Sequence, residues 1–199
     1  MTSTPYPNGQ VLTSTALTVS QINAIIQPLT CGMIGVNPPD FSKVRVDWQS
    51  EGQPFVPRPQ DDVCFISCVP ENVDYRLVRD RTFSGTGPVV ETWVYTRGWR
   101  VSWVLYGPNS TDRARMIHSA FFMDFFNDQL SLQNLYPVSD FAEPTRVPEN
   151  LNAQWFERAD FHVVMYEQVT ETIDDGAVTS VEVKVFDTNG QVADLTITS

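Results

Sequence analysis

Two histidines, three cysteines and two adjacent acid pairs are the side chains of this sequence whose types could do chemistry. His118 sits in an aromatic stretch, "MIHSAFF", and could serve as a base or ligand. No cysteine or carboxylate lies one helical turn from it on the same face, so a hydrogen-bonded core slot suits it better. His162 alternates into a strand between Phe161 and Val163. Two histidines cannot supply a three-histidine zinc site, and their spacing is not that of a helical ligand pair. Cys64 and Cys68, in "DVCFISCVP", share one face of a strand at roughly 13 Å, too far for a disulfide. With Cys31 they read as buried thiols kept reduced. Asp61-Asp62 and Asp174-Asp175 fall in turns, where turn chemistry explains them. Gly85-Thr86-Gly87 precedes a strand rather than a helix and makes a poor phosphate cradle. No nucleophile elbow, phosphate loop, dinucleotide fingerprint or calcium loop occurs. Arg76, Arg79 and Arg81 form a basic cluster, diluted by Asp74 and Asp80. Such a cluster fits the acidic patch of a protein partner better than nucleic acid. The residues therefore assign no catalytic group, no metal and no cofactor, and the chain reads as a non-enzyme.

The elements that would position these residues follow from periodicity. Residues 1–17 are rich in Thr, Ser, Pro and Asn, without a pattern, and read as a flexible N-terminal arm. In "TVSQINAIIQPLTCG", Ile22, Ile25, Ile26 and Leu29 share a stripe. This predicts a helix at about 19–31, capped by Ser20 and stopped by Gly32, with Pro28 weakening its last turn. Strands are predicted at 43–49 and 62–69, then a long loop at 71–91 of the kind that binds something or projects. From Trp93 to Tyr106 a strand alternates an aromatic face with a mixed one and should pair antiparallel with 62–69. Gly107 and Pro108 end it, and a helix follows. Ala114, Ile117, His118, Phe121, Phe122 and Phe125 share one broad face of that helix, with Met116, Ala120 and Met123 on the other side. A helix apolar nearly all round is buried on two sides, one against its own sheet and one against a second subunit. Three prolines make 129–154 irregular. Strands return at 155–171 and 178–186, and Asn189-Gly190 signals a closing hairpin. The fold class is α+β, a twisted, largely antiparallel sheet with two main helices packed on one face, within a single domain spanning 18–199. Trp99, Val101, Trp103, Ile117, Phe121 and Phe125 are placed in its core.

Composition bounds the function. The chain has 199 residues, 42% of them hydrophobic and 12% aromatic, enough for one domain with a sizeable core. No apolar run approaches the ~20 residues of a membrane span, and no signal-like segment opens the sequence, so a soluble cytosolic product is expected. The net charge is −11. Residues 1–116 hold 10 basic and 10 acidic side chains, whereas 117–199 hold 3 and 14. A surface so charged repels nucleic acid rather than gripping it. Large aromatic surface without a pocket signature favours assembly.

"VRVDWQ", "FISCVPEN", "YTRGWRVSWVLYGPNSTDRARMIHSAFF" and "RVPENLNAQWFERADFHVVMYEQV" carry a resemblance. Over residues 18 to 186 the chain resembles the tailed-phage neck terminator proteins, also described as tail terminator or head–tail joining proteins. The resemblance implies a ring, commonly a hexamer, that caps the tail tube and joins it to the head connector, with DNA passing through the bore. It implies virion localisation and brings no cofactor or reaction. On that reading Met116 and Met123 on the helix, with Arg76, Arg79 and Arg81 on the loop, form the subunit interface. The acids of 157–194 would line or flank the bore. Two other readings are an adaptor or stopper ring of the same neck, and a ligand-binding or enzymatic domain with 71–91 as its lid. The first would be more helical. The second would show a central pocket joining His118 to a carboxylate.

Overall fold

Alternation in "RGWRVSWVLY" sets the centre of the architecture: Trp99, Val101, Trp103 and Leu105 all point to one side and are buried. A computed structural model describes residues 2–5, 11–47, 57–72, 79–84, 90–151, 153–174, 180–187 and 190–198. The strands are β1 (Thr2–Pro5), β2 (Val11–Ser14), β3 (Val44–Val46), β4 (Val63–Glu71), β5 (Arg79–Ser84), β6 (Val90–Tyr106), β7 (Leu135–Pro137), β8 (Thr145–Arg146), β9 (Glu149–Leu151), β10 (Gln154–Phe156), β11 (Arg158–Asp174), β12 (Ser180–Asp187) and β13 (Gly190–Thr198). The helices are α1 (Val19–Met33), α2 (Ser110–Ala120) and α3 (Asp124–Ser131). The class is α+β, as expected.

The chain divides into two compact units. The larger comprises residues 16–78 and 95–169. In it β6 lies between β11 and β4, and β3 follows β4. β4 and β6 are antiparallel, as their patterns predict, with Ile66 opposite Trp103 and Cys68 opposite Val101. β3 runs parallel to β4. Cys64, Ile66 and Cys68 thus join Trp99 and Trp103 of β6 and Phe161, Val163 and Met165 of β11 in one buried layer. Both α1 and α2 cover that layer. The Trp103 indole Nε1 donates to Thr30 Oγ1 of α1 at 3.0 Å, and its ring meets Phe121, just past α2, at 5.6 Å. Fully burying side chains of this size contributes about 1.5–3 kcal/mol each.

The smaller unit comprises residues 1–15, 79–94 and 170–199. Here β2 pairs antiparallel with β1 and with the end of β11, where Thr13 faces Thr172. The N-terminal stretch read as an arm therefore carries two strands. β5 pairs with β6 inside the stretch read as a long loop. β12 and β13 form the hairpin expected from Asn-Gly, although Asn189 itself lies outside the described residues.

Several boundaries differ from the sequence reading. Thr18, not Ser20, caps α1, in a capping box closed by Gln21. α1 continues past Pro28 to Met33, because burial of Thr30, Cys31 and Met33 outweighs the lost backbone bond. The segment 129–154 is not wholly irregular. β7 and β8 pair with β11, and β9 with β10, the prolines being accommodated at short edge pairings. The expected strand 155–171 is broken at Glu157. β10 belongs to the hairpin with β9, which sets Phe156 against Tyr106 and leaves Trp155 70% exposed.

Candidate assembly interface

Among the described residues able to do chemistry, Asp62, the cysteines and His118 are engaged in holding the fold. Asp62 accepts from the Asn109 backbone N–H at 3.0 Å and from its side-chain amide at 2.7 Å, and pairs with Arg113 at 3.3 Å. It thereby fixes the start of α2 from the residue just ahead of β4, while Gly107, at φ 105°, makes the turn between β6 and α2. An added Cβ there would lie 2.6 Å from the Asp61 carbonyl oxygen, which is why the turn takes glycine. Cys31, Cys64 and Cys68 are free and buried. Burial pushes all three thiols up, Cys68 to about 12, which keeps them protonated and unreactive. Side chains of the Asp174-Asp175 pair and the whole of Gly85–Gly87 lie outside the described residues. Among the described residues no group of three or more His, Cys, Asp or Glu is placed to hold a metal ion.

His118 occupies an aromatic cage. Its ring meets Phe122 at 5.2 Å and both Phe141 and Phe161 at 5.5 Å, edge to face. Its nearest acid is Glu143, at 3.9 Å and mostly solvated. The residues lining the two grooves described on this molecule do not include it. His162 is exposed on β11.

Two carboxylates that escaped the sequence reading are buried, Glu91, which accepts from the Trp93 indole N–H, and Glu167. Glu167 is 1% exposed and accepts from Arg97 Nε at 2.9 Å, Arg97 Nη2 at 2.6 Å, Trp99 Nε1 at 2.6 Å and the Leu17 backbone N–H at 2.6 Å. Arg97 Nη2 also donates to the Leu17 carbonyl. The cluster ties the chain entering α1 to the centre of the sheet. Its signal was visible in the strand patterns: Arg97 and Glu167 each interrupt an otherwise apolar face. Glu167 is therefore no part of an acidic lining, and Glu157 and Asp160 are paired with Arg146 and Arg158.

The surface left over is apolar. The expected long helix is two helices. After Ala120 the chain turns through Phe121 and Phe122, and Met123 is extended at φ −97°, ψ 127°. The Asn127 side-chain amide donates to the Phe121 carbonyl at 2.9 Å, satisfying a helix-end acceptor that another turn of α2 would otherwise have used. The break rotates Phe122 and Phe125 off the buried stripe. Phe125, placed in the core by its spacing, is 65% exposed, as is Phe122. Phe121 stays buried against Trp103, Phe141 and Phe161. Met116, Met123 and Leu132 are also exposed, at 45%, 54% and 73%. Phe122 also lines a groove of about 300 Å³ together with Phe121, Tyr136 and Phe141. Its wall carries Asp128 and Asn127, whose Oδ1 is buried without a partner among the described residues.

A surface of this kind, on a chain whose described cysteines, Asp62 and His118 are engaged within the fold, is what an assembly subunit presents. A family model described as phage neck terminator protein matches residues 20–193. The chain belongs to the phage neck terminator family. No curated protein matches it. The family is one of structural phage neck proteins, which makes this chain a virion component. The match opens inside α1 and closes within β13, leaving β1 and β2 outside it. No described helix of this neck terminator is long and apolar enough to cross a membrane. Of the residues expected at its subunit interface, Met116 and Met123 lie on the exposed apolar surface. Arg79 and Arg81 lie in β5, where the Arg79 guanidinium sits 5.3 Å from the Trp93 ring. Arg76 lies outside the described residues.

Proposed function

We propose that this neck terminator closes a homo-oligomeric ring, a hexamer, that terminates the tail tube and joins it to the head connector, with DNA passing through the bore without specific binding. The observation that carries the reading is the exposed apolar surface of α2 and α3 on a chain of this family. Met116, Phe122, Met123, Phe125 and Leu132 remain in water although the core beneath them is complete. Burying several such side chains at each contact supplies the hydrophobic centre that a stable interface needs. Met116 and Met123 belong to that contact, with Arg76, Arg79 and Arg81 as its charged part. The ring's two faces meet different neighbours, the connector and the tube protein, so the function is geometric and involves no reaction or cofactor.

Electron microscopy of the particle neck tests this directly. A ring of this chain at the end of the tube, with α2 and α3 between adjacent subunits, is the expected image. Density showing one copy per neck, or α2 and α3 turned wholly to solvent, would refute it.

A further inference from the structure

We infer that the exposed face of α3 packs into the groove between the end of α1 and the start of α2 of the neighbouring copy, so that subunits join head to tail. This rests on the ring reading above and names the surfaces that meet. α3 buries Leu130 and half-buries Phe126, yet its opposite face is also apolar at the centre. At ~100° per residue Phe125 and Leu132 fall together, and they are 65% and 73% exposed. Leu132 follows α3 directly and keeps its helical backbone. Asp124 and Asp128 flank the pair on one side and Gln129 on the other, all exposed. Neither acid makes an ion pair among the described residues. A short helix with apolar anchors seven positions apart on its solvent face is built to lie in a partner's groove.

The matching groove, of about 640 Å³, is formed by the segment 34–43 after α1 and by the start of α2. Val36, Pro38, Pro39 and Phe41 give it an apolar lining, and Lys43 and Arg113 make it basic. The acid of its lining, Asp40, is occupied by Ser42, whose backbone N–H and Oγ donate to it at 2.9 and 2.6 Å. Arg113 is held by Asp62, whereas Lys43 is exposed and forms no ion pair among the described residues. A space of this size is in the range that holds drug-sized ligands, so it takes the Phe125 and Leu132 side chains together. An apolar groove bearing two cations and an apolar helix face flanked by two acids match in both character and sign. Phe41 is 52% exposed, and Met116 borders the groove, its Cε 3.9 Å from where a Cβ on Gly35 would stand. The groove reaches α2 near its first turn, and α3 follows its last. They are different surfaces of one chain, so their union is head-to-tail, the arrangement that generates rings.

Two single charge reversals test the pairing. Lys43→Glu brings an acid toward Asp124 and Asp128, and Asp128→Lys brings a cation toward Lys43 and Arg113. Each alone should need at least about tenfold more protein than the unaltered chain to close a ring, in solution or on tail tubes, since like charges then face each other. An equimolar mixture should recover ring mass at the unaltered concentration, because alternating subunits restore opposite charges at every contact. Light scattering reads mass, and circular dichroism confirms that both variants fold. Undiminished ring closure by either variant alone, even with loss of attachment to tube or connector, overturns the inference while leaving the ring reading intact. No recovery on mixing does the same. If the unaltered chain forms no ring even on tail tubes, the ring reading itself falls. A second measurement avoids charge altogether. Phe41→Cys and Leu132→Cys proteins, mixed and assembled, should oxidise to covalently linked pairs, while neither alone should, the native thiols being buried. An assembled mixed ring that yields no linked pair, or linked pairs from either variant alone, would refute the contact.

Discussion

Arg97 and Glu167 lie seventy positions apart in sequence, yet Arg97 Nη2 is 2.6 Å from Glu167 Oε2 at the centre of the sheet. The same carboxylate holds Trp99 and the backbone just ahead of α1. Deleting it leaves an arginine, an indole N–H and a backbone N–H short of an acceptor. Glu167→Ala should therefore cost about 3 kcal/mol, the low end for a broken buried pair because Arg97 retains access to water. Glu167→Gln keeps a hydrogen-bond acceptor and should cost less. Denaturant unfolding of the two variants checks the order. Equal stability of Glu167→Ala and the unaltered chain would show that the cluster holds nothing.

Two phenylalanines four positions apart should behave oppositely. Phe121 is buried among Trp103, Phe141 and Phe161, so Phe121→Ala should lose about 3–5 kcal/mol. Phe125 is largely in water and touches Phe126, so Phe125→Ala should shift stability by no more than about 0.5 kcal/mol. If subunits meet on this surface, Phe125→Ala weakens assembly without touching the fold. Urea titrations with parallel mass measurement separate the two effects.

Acid should loosen the β9–β10 hairpin. Tyr106 Oη donates to Glu149 Oε2 at 2.7 Å, and Arg158 Nη1 donates to the same oxygen at 3.0 Å. These bonds, the tyrosine's first, hold the Glu149 carboxyl below its ordinary value. A depressed folded value means that the stabilisation is complete above the unfolded value, about 4.3. It is then lost as pH falls through the folded one. Tyr106 behaves in the opposite sense: burial first, then its bond to Glu149, pushes it up to about 12. Its contribution is present below the unfolded value of about 10 and lost as pH rises through the folded one. Glu149→Gln should therefore flatten the acid limb of stability against pH. An unchanged acid limb in that variant would mean the pairing is not formed in solution.

Strand patterns made the sheet legible where alternation was long. Seven positions of β6 carried a consistent parity, and its pairing with β4 followed from two apolar strands separated by one connection. The aromatic helix was legible only as far as Ala120. Its apolar spacing continues through Phe125, but a side chain six positions on, Asn127 of α3, takes the Phe121 carbonyl where α2 ends. Such a tertiary capture of a backbone group leaves no periodic trace. The edge strands β7–β10 were hidden for a related reason. Each is only two or three residues long, too short for alternation to register, and their partner strand decides them. The exposed surface was foreseen through Met116 and Met123, while Phe122, Phe125 and Leu132 joined it only once the helix break was known.

Met123 offers the cleanest separation of folding from assembly. It is the residue preceding α3, extended and half exposed, and its side chain makes no capping bond. Aspartate is among the residues favoured at that position, because its carboxylate accepts from the free N–H groups of the first turn and complements the helix dipole. Met123→Asp should thus keep the fold and stabilise α3 by up to about 1 kcal/mol. At a subunit contact the same change sets a charge among apolar side chains and beside Asp124 and Asp128, where burial is costly. The expected protein has an unchanged or raised melting temperature and fails to close a ring. Loss of assembly could then not be attributed to misfolding. A Met123→Asp chain that melts as expected and still forms rings at unaltered concentration would place Met123 outside the interface.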